Sequence, residues 1–385
     1  MLMVALVFAL GSRGALAEPP PNRVLPFDPV ELVAGREVDG RPALSIERDG
    51  YTYRFANEAN RAAFEQEPAR FEVADGGACG SMGPLSGLGD ARRFVVHEGR
   101  IHFFASEQCR ATFLRDPAKC IERPDPPLEG SDEARAQGIA IIDRCVQWAG
   151  GPREIQSLRG YRQSHEKTVT REGGESRSSN TLSIEFPYES VVRRTDEPKP
   201  GPIDTLLRAR FLGRSTQDQQ WWGTVLAPAW SAMVSEGRAE PLAASRRAAF
   251  ERQLLRIPVV LLRSRFEPGF TVVADGTGIT RDGPIDFVRV HYRGVTTRLG
   301  VHKETGQLLQ VSFHGRDGTR FVGDVVRTYK GFLTQNGFTL PTSWRTTFDG
   351  EAMDELEVRF LRIELNPRFA PGTFDPPAAA PATAP

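Results

Sequence analysis

Apolar and polar residues alternate along most of this chain, and turn dipeptides punctuate the alternation. Residues 45–55 alternate around Asp49-Gly50, and residues 94–104 around Glu98-Gly99. An acidic residue followed by glycine between alternating runs is a strong short-range hairpin signal. Each hairpin leads into a short helical stretch. Asn57 and Ser106 stand where an N-cap belongs, apolar residues follow at helical spacing (Ala59, Ala63, Phe64; Phe113, Leu114), and Pro68 and Pro117 stop the helices. A longer amphipathic helix is predicted after Ser131, with Ile139, Ile142, Val146 and Ala149 on one face and Gly150-Gly151-Pro152 at its end. A short second helical turn covers 153–158.

From there most of the chain reads as strands. The predicted runs are 161–170, 180–186, 189–195, 286–292, 296–302, 308–314, 319–329, 338–348 and 354–365. Their joints carry turn chemistry: Arg293-Gly294, Glu304-Thr305-Gly306, Asp317-Gly318, Asn336-Gly337 and Asp349-Gly350. One helical segment, 241–263, interrupts them and is broken at Pro258. Regular strand spacing with such joints predicts an antiparallel meander curled into a barrel or half-barrel.

The two hairpin–helix stretches are copies of one unit at an offset of 49 residues. Nine of 22 positions from Gly50 to Phe71 are identical in the second copy, without a gap. A hairpin plus one helix is a very small core, and such units need a metal, a disulfide or a neighbour.

These copies resemble the YHS/TRASH family, small treble-clef-like modules associated with heavy metals. The first copy carries Asp28-Pro29-Val30, Tyr53, Phe55, Phe64 and Pro68; the second carries Cys79-Gly80, Phe103-Phe104, Ser106-Glu107, Cys109, Phe113 and Pro117. The resemblance covers residues 27–122. In the first copy Glu31, Ala56 and Asn60 stand where the family has cysteines; in the second, Cys79 and Cys109 remain and Ala105 replaces the middle one. The resemblance therefore implies a soft metal ion, Cu or Zn, held by Cys79 and Cys109 with His97 and His102 as helpers. The competing expectations are a disulfide and free thiols. The family geometry brings Cys79 and Cys109 together, which leaves Cys120 and Cys145 over.

The rest of the chain, 131–376, resembles the LolA/LolB-type lipoprotein carriers, in which a half-barrel covers a helix and an apolar cavity. The marks are the opening helix with Gly150-Gly151, the hairpin Gly337-Phe338-Thr339-Leu340-Pro341 and the closing Leu365-Asn366-Pro367-Arg368-Phe369 with Phe374. Trp221, Trp222, Trp230, Val259 and Leu261 are the expected ligand-binding residues, since ligand sites are mostly apolar and concave.

The fold class expected is thus α+β: two hairpin–helix modules, 24–75 and 76–122, a proline-rich linker, 123–130, and a mainly antiparallel half-barrel with helices, 131–376. Residues 1–17 read as a secretory signal, with Leu2 to Leu10 unbroken and apolar and Ala15-Leu16-Ala17 offering a cleavage site. A Pro/Ala tail, 377–385, has no residue able to pack. The expected location is secreted and periplasmic. Forty-nine basic and 49 acidic residues cancel, so no electrostatic footprint for nucleic acid is present. No stretch reaches the ~20 apolar residues of a membrane span. Motifs such as HExxH, GxSxG, a Walker loop or GxGxxG before a helix are missing, so an enzyme is not expected. The expected role is non-catalytic binding in the envelope, of a metal ion through the second module or of a hydrophobic ligand through the half-barrel. A structural adaptor whose metal site has decayed, docking an envelope protein partner, is the third expectation.

Overall fold

The computed structural model describes residues 23–171, 174–186, 190–196, 221–228, 230–235, 238–317 and 321–375. The expected secretory signal, 1–17, the Pro/Ala tail, 377–385, and the side chains of Trp221 and Trp222 lie outside the described residues.

The first repeat comprises β1 (Val24–Leu25), α1 (Pro29–Val33), β2 (Arg41–Arg48), β3 (Tyr51–Phe55), α2 (Glu58–Gln66) and α3 (Pro68–Phe71). The second comprises β4 (Asp90–His97), β5 (Arg100–Phe104) and α4 (Glu107–Arg115). Both hairpins turn through two residues at positive φ, Asp49 and Gly50 in one, Glu98 and Gly99 in the other. That is the type I′ turn whose twist suits a two-residue hairpin. Asn57 and Ser106 cap the two helices, accepting from the amides of Asn60 at 2.9 Å and Cys109 at 3.2 Å.

The repeats are not independent bodies. Ile101 and Phe103 of the second sit in the same core as Tyr51, Tyr53, Phe55 and Phe64 of the first. A parallel bridge between Val73 and Ile101 joins them through the backbone. Each repeat thus supplies the neighbour that so small a unit needs.

The remainder begins with α5 (Asp132–Ala149) and α6 (Pro152–Gln156). Strands follow: β6 (Gly160–Arg171), β7 (Gly174–Glu185), β8 (Ser190–Asp196), β9 (Trp221–Leu226), β10 (Ser231–Ser235) and β11 (Arg238–Pro241). Two helices come next, α7 (Ala244–Leu254) and α8 (Pro258–Ser264). The chain closes with β12 (Thr271–Thr280), β13 (Gly283–Tyr292), β14 (Val295–His302), β15 (Leu308–Gly315), β16 (Gly323–Gln335), β17 (Phe338–Phe348) and β18 (Glu351–Leu365). All thirteen strands form one open antiparallel sheet, ordered β11-β10-β9-β8-β7-β6-β18-β17-β16-β15-β14-β13-β12. Its first strand, β6, pairs with its last, β18. Its two edges, β11 and β12, are joined by the α7–α8 crossover.

One core unites the sheet with its helices. Ile142, Cys145 and Val146 of α5 and Val260 of α8 pack with Tyr161, Ile184, Leu226, Leu299, Val325 and Ile363 from strands across the sheet. The result is a mixed α+β architecture, an open antiparallel sheet wrapped around helices. Pro258 divides the helical segment expected over 241–263 into α7 and α8, as a proline with no amide hydrogen requires.

Candidate functional site

Three places carry chemistry: the heart of each repeat, the seam between the repeats and the half-barrel, and a cavity beside α7.

In the second repeat the segment before the hairpin brings Cys79 under the start of α4. The Cys79 amide donates to the Gly87 carbonyl at 3.0 Å, and Cys79 bridges to Phe103. Its Sγ accepts from the Ala105 amide at 3.4 Å and lies 3.6 Å from the Ser81 hydroxyl. Cys109 is the third residue of α4, its amide donates to the Ser106 hydroxyl at 3.2 Å, and it packs against the cluster that holds Cys79. The Ser106 hydroxyl above all, then Ser81 and the Cys79 thiol, hold the Cys109 thiol below its ordinary pKa, against the opposing effect of burial. The structure therefore brings Cys79 and Cys109 together, and no disulfide joins them. Cys120, which the sequence reading left over with Cys145, shares their cluster with Phe104 and Phe113, and burial pushes its thiol up.

The two histidines face elsewhere. His97 meets the Phe113 ring edge-on at 5.6 Å between centroids, and His102 packs on the same ring at 4.9 Å. Burial foremost, then the Arg100 charge, drops His102 to about 4, so it is neutral at pH 7. Among the described residues no group of three or more His, Cys, Asp or Glu is placed to hold a metal ion. Cys79 and Cys109 offer two thiols, short of the four ligands that a structural zinc takes.

The first repeat shows what stands in their place. The Asp28 amide donates to Val38 at 2.8 Å as that of Cys79 does to Gly87, and Gly40 bonds Pro26 as Gly89 bonds Gly77. The bridge between Phe27 and Asp39 matches that between Ala78 and Leu88. Asp28, not Glu31, therefore occupies the position of Cys79. Ten residues separate Asp28 from Val38, and eight separate Cys79 from Gly87. The two extra residues make room for α1, so an ungapped comparison slips here. Asp28 is fully buried. Its carboxylate accepts from the amides of Val30 (2.9 Å), Glu31 (3.3 Å) and Ala56 (2.7 Å) and from Nδ2 of Asn60 (2.8 Å). Asn60, the counterpart of Cys109, also reaches Glu31 at 3.0 Å. Asp28 and Pro29 are the N-cap and first residue of α1, a pairing legible in the sequence.

Three arginines of the half-barrel seal the second repeat against it. Arg246, Arg256 and Arg316 are 2%, 1% and 2% exposed. Arg246 donates to the carbonyls of Pro84 at 2.9 Å and Ser86 at 2.8 Å. Arg316 donates to the carbonyls of Ser81 and Cys120, and Arg256 to Glu122 at 2.8 Å. A Cβ on Gly83 would lie 2.6 Å from the Arg316 guanidinium, so only glycine admits this contact. Asp49, at the tip of the first hairpin, caps α7 by accepting from the Ala244 amide at 2.8 Å. The segment expected as a linker is fastened too: Asp125 accepts from the Thr296 amide at 2.7 Å, and Leu128 is buried.

The expected ligand-binding residues are dispersed. Val259 lines a cleft with Trp148, Pro258, Phe332 and Phe338 whose volume is about 10 Å³, room for one water at most. Leu261 is buried in the core. Trp230 is half-buried in the turn between β9 and β10 and lines neither cavity. A larger cavity, about 220 Å³, opens between α7, the linker and the β13–β14 turn. Pro124, Ala248, Leu254, Leu255 and Val295 give it apolar walls, and Glu251, Arg252 and Arg293 a charged rim. No sequence pattern pointed to it, because its walls come from three distant segments.

No protein-family model and no curated protein matches the chain. Among solved structures it is similar to a DUF1329 family protein from Desulfovibrio piger, at 10% identity and a TM-score of 0.39, over 62% of this chain and 97% of that one. It is also similar to a LolA superfamily protein from Nitrosomonas europaea, at 10% identity and a TM-score of 0.40, over 61% of this chain and 94% of that one.

Proposed function

We propose that this protein is a non-catalytic binding protein of the cell envelope that takes a hydrophobic ligand in its half-barrel part. The observation that carries this reading is the cavity of about 220 Å³ beside α7, with apolar walls from Leu254, Leu255 and Val295. A cavity of ~150 Å³ lined by aliphatic residues already holds a benzene ring, and drug-sized sites start near ~300 Å³. This one suits a single short chain or ring of a ligand. The apolar N-terminal run, Leu2 to Leu10, supports export to the envelope. The linker that follows the repeats supplies one wall of this cavity through Pro124.

The test is native mass spectrometry with organic extraction of the purified full-length protein. A co-purifying acyl or aromatic compound is expected, and Ala248→Trp, at an exposed position of α7 on the cavity wall, is expected to expel it. Absence of any such compound, or unchanged occupancy in a folded A248W, contradicts the reading.

A further inference from the structure

We propose that Cys79 and Cys109 are a redox-active dithiol, in which Cys109 exchanges with disulfide-bearing molecules and Cys79 resolves the mixed disulfide. The two cysteines lie 30 residues apart in sequence and share one cluster with Phe104 and Phe113 in the fold. Their positions are set by separate backbone anchors: the Cys79–Phe103 bridge on one side, the Ser106-capped start of α4 on the other. Their exposure differs in the sense that exchange requires. Cys79 is 1% exposed, while Cys109 is only partly buried and accessible to an incoming disulfide. The Ser81 hydroxyl lies 3.6 Å from the Cys79 sulfur, which also receives the Ala105 amide at 3.4 Å, and the Ser106 hydroxyl caps the helix start that carries Cys109. These are donors that suit a thiolate passing through the reaction. The residues that would turn the pair into a metal cage are directed elsewhere, with His97 and His102 on Phe113.

The step balances without an absent cofactor, given a disulfide oxidant RSSR. The Cys109 thiolate attacks one sulfur of RSSR, the S–S bond breaks, and the first RS⁻ leaves and takes up a proton. Deprotonated Cys79 then attacks Cys109 Sγ, displacing the second RS⁻, which is likewise protonated. Two cysteine thiols lose two electrons and two protons, and RSSR becomes two RSH.

Chelator-treated full-length protein is equilibrated in glutathione buffers from fully reduced to fully oxidised, acid-quenched, alkylated and peptide-mapped. A Cys79–Cys109 disulfide is expected to appear in one two-electron transition, with Cys120 and Cys145 remaining thiols. Cys79→Ser is expected to accumulate glutathione on Cys109, and Cys109→Ser to place at least tenfold less on Cys79. Three results overturn the proposal: Cys109 remains a free thiol in oxidised glutathione; the two variants react equally; or elemental analysis before chelation finds stoichiometric Cu or Zn that blocks alkylation. The wild-type titration stands by itself if either variant fails to fold.

Discussion

Where segment, hairpin and helix meet, the first repeat holds Asp28 with Asn60, and the second holds Cys79 with Cys109. The surrounding frame is the same: matching bridges, matching N-caps, and Phe64 and Phe113 both buried behind the helix. The content differs in kind. Asp28 gathers three amides and one side-chain NH₂, so its charge is fully answered and nothing is left over for a ligand. The thiols answer one amide at 3.4 Å and a few hydroxyls. A carboxylate with four donors ties a fold together; a weakly bonded thiol pair is free to react. The comparison separates a structural repeat from a chemical one within a single shared core.

The largest test of that difference is removal of each centre. Asp28→Ala takes the buried acceptor from three partly buried amides and leaves Asn60 only Glu31, and is expected to destabilise the protein by about 3 kcal/mol. Cys79→Ala is expected to cost the reduced protein about 1–2 kcal/mol, since a single long amide contact is lost. Urea unfolding under reductant, followed at the repeats by hydrogen exchange, compares them directly; equal losses would erase the distinction.

A second asymmetry is the middle residue of the second strand in each hairpin. Tyr53 in the first repeat accepts from the Val73 amide at 3.2 Å; His102 takes its place in the second. Burial lowers His102 from its ordinary 6.5 to about 4. The unfolded chain thus takes the proton first. The stability linked to neutral His102 is complete above pH 6.5 and is lost as pH falls towards 4, by ~3 kcal/mol in all. His102→Tyr is expected to remove that acid sensitivity, and thermal melts from pH 7 to 4 measure it. An unchanged pH slope would place the titration elsewhere.

Smaller effects sharpen the comparison at the seam and the turns. Arg316→Met strands the carbonyls of Ser81 and Cys120 and is expected to cost ~2 kcal/mol, with faster hydrogen exchange over 79–83 and none over 28–60. Alanine at Gly50 or Gly99 forces a positive φ on a side chain, ~1 kcal/mol each. Gly50→Ala is expected to cost more, because its Cβ would meet Arg23 at 2.9 Å whereas that of Gly99 meets nothing within 4 Å.

Much of the fold was legible in the sequence, because turns and patterning are local. Asn336-Gly337 and Asp349-Gly350 bracket β17, which is observed over the predicted 338–348, and the hairpins, caps and proline stops of both repeats stand where expected. The site was less legible, for identifiable reasons. The pairing of Cys79 with Asp28 was hidden by the two-residue insertion that builds α1. Cys120 lies beyond the helix and joins the thiols only through folding. Nothing in the sequence marks Arg246, Arg256 and Arg316 for burial, since arginine is buried only where several carbonyls or a carboxylate receive it, and those partners come from distant segments. The 220 Å³ cavity arises from packing among α7, Pro124 and Val295, which no single segment encodes.

The most direct test of the account is a pair of double-mutant cycles, Asp28→Ala with Asn60→Ala and Cys79→Ala with Cys109→Ala, read in reduced protein by hydrogen exchange at the Ala56 and Ala105 amides. The account predicts a coupling of ~1–3 kcal/mol between Asp28 and Asn60 and a coupling below ~0.5 kcal/mol between the thiols. Equal couplings, or a stronger one between the thiols, would contradict it.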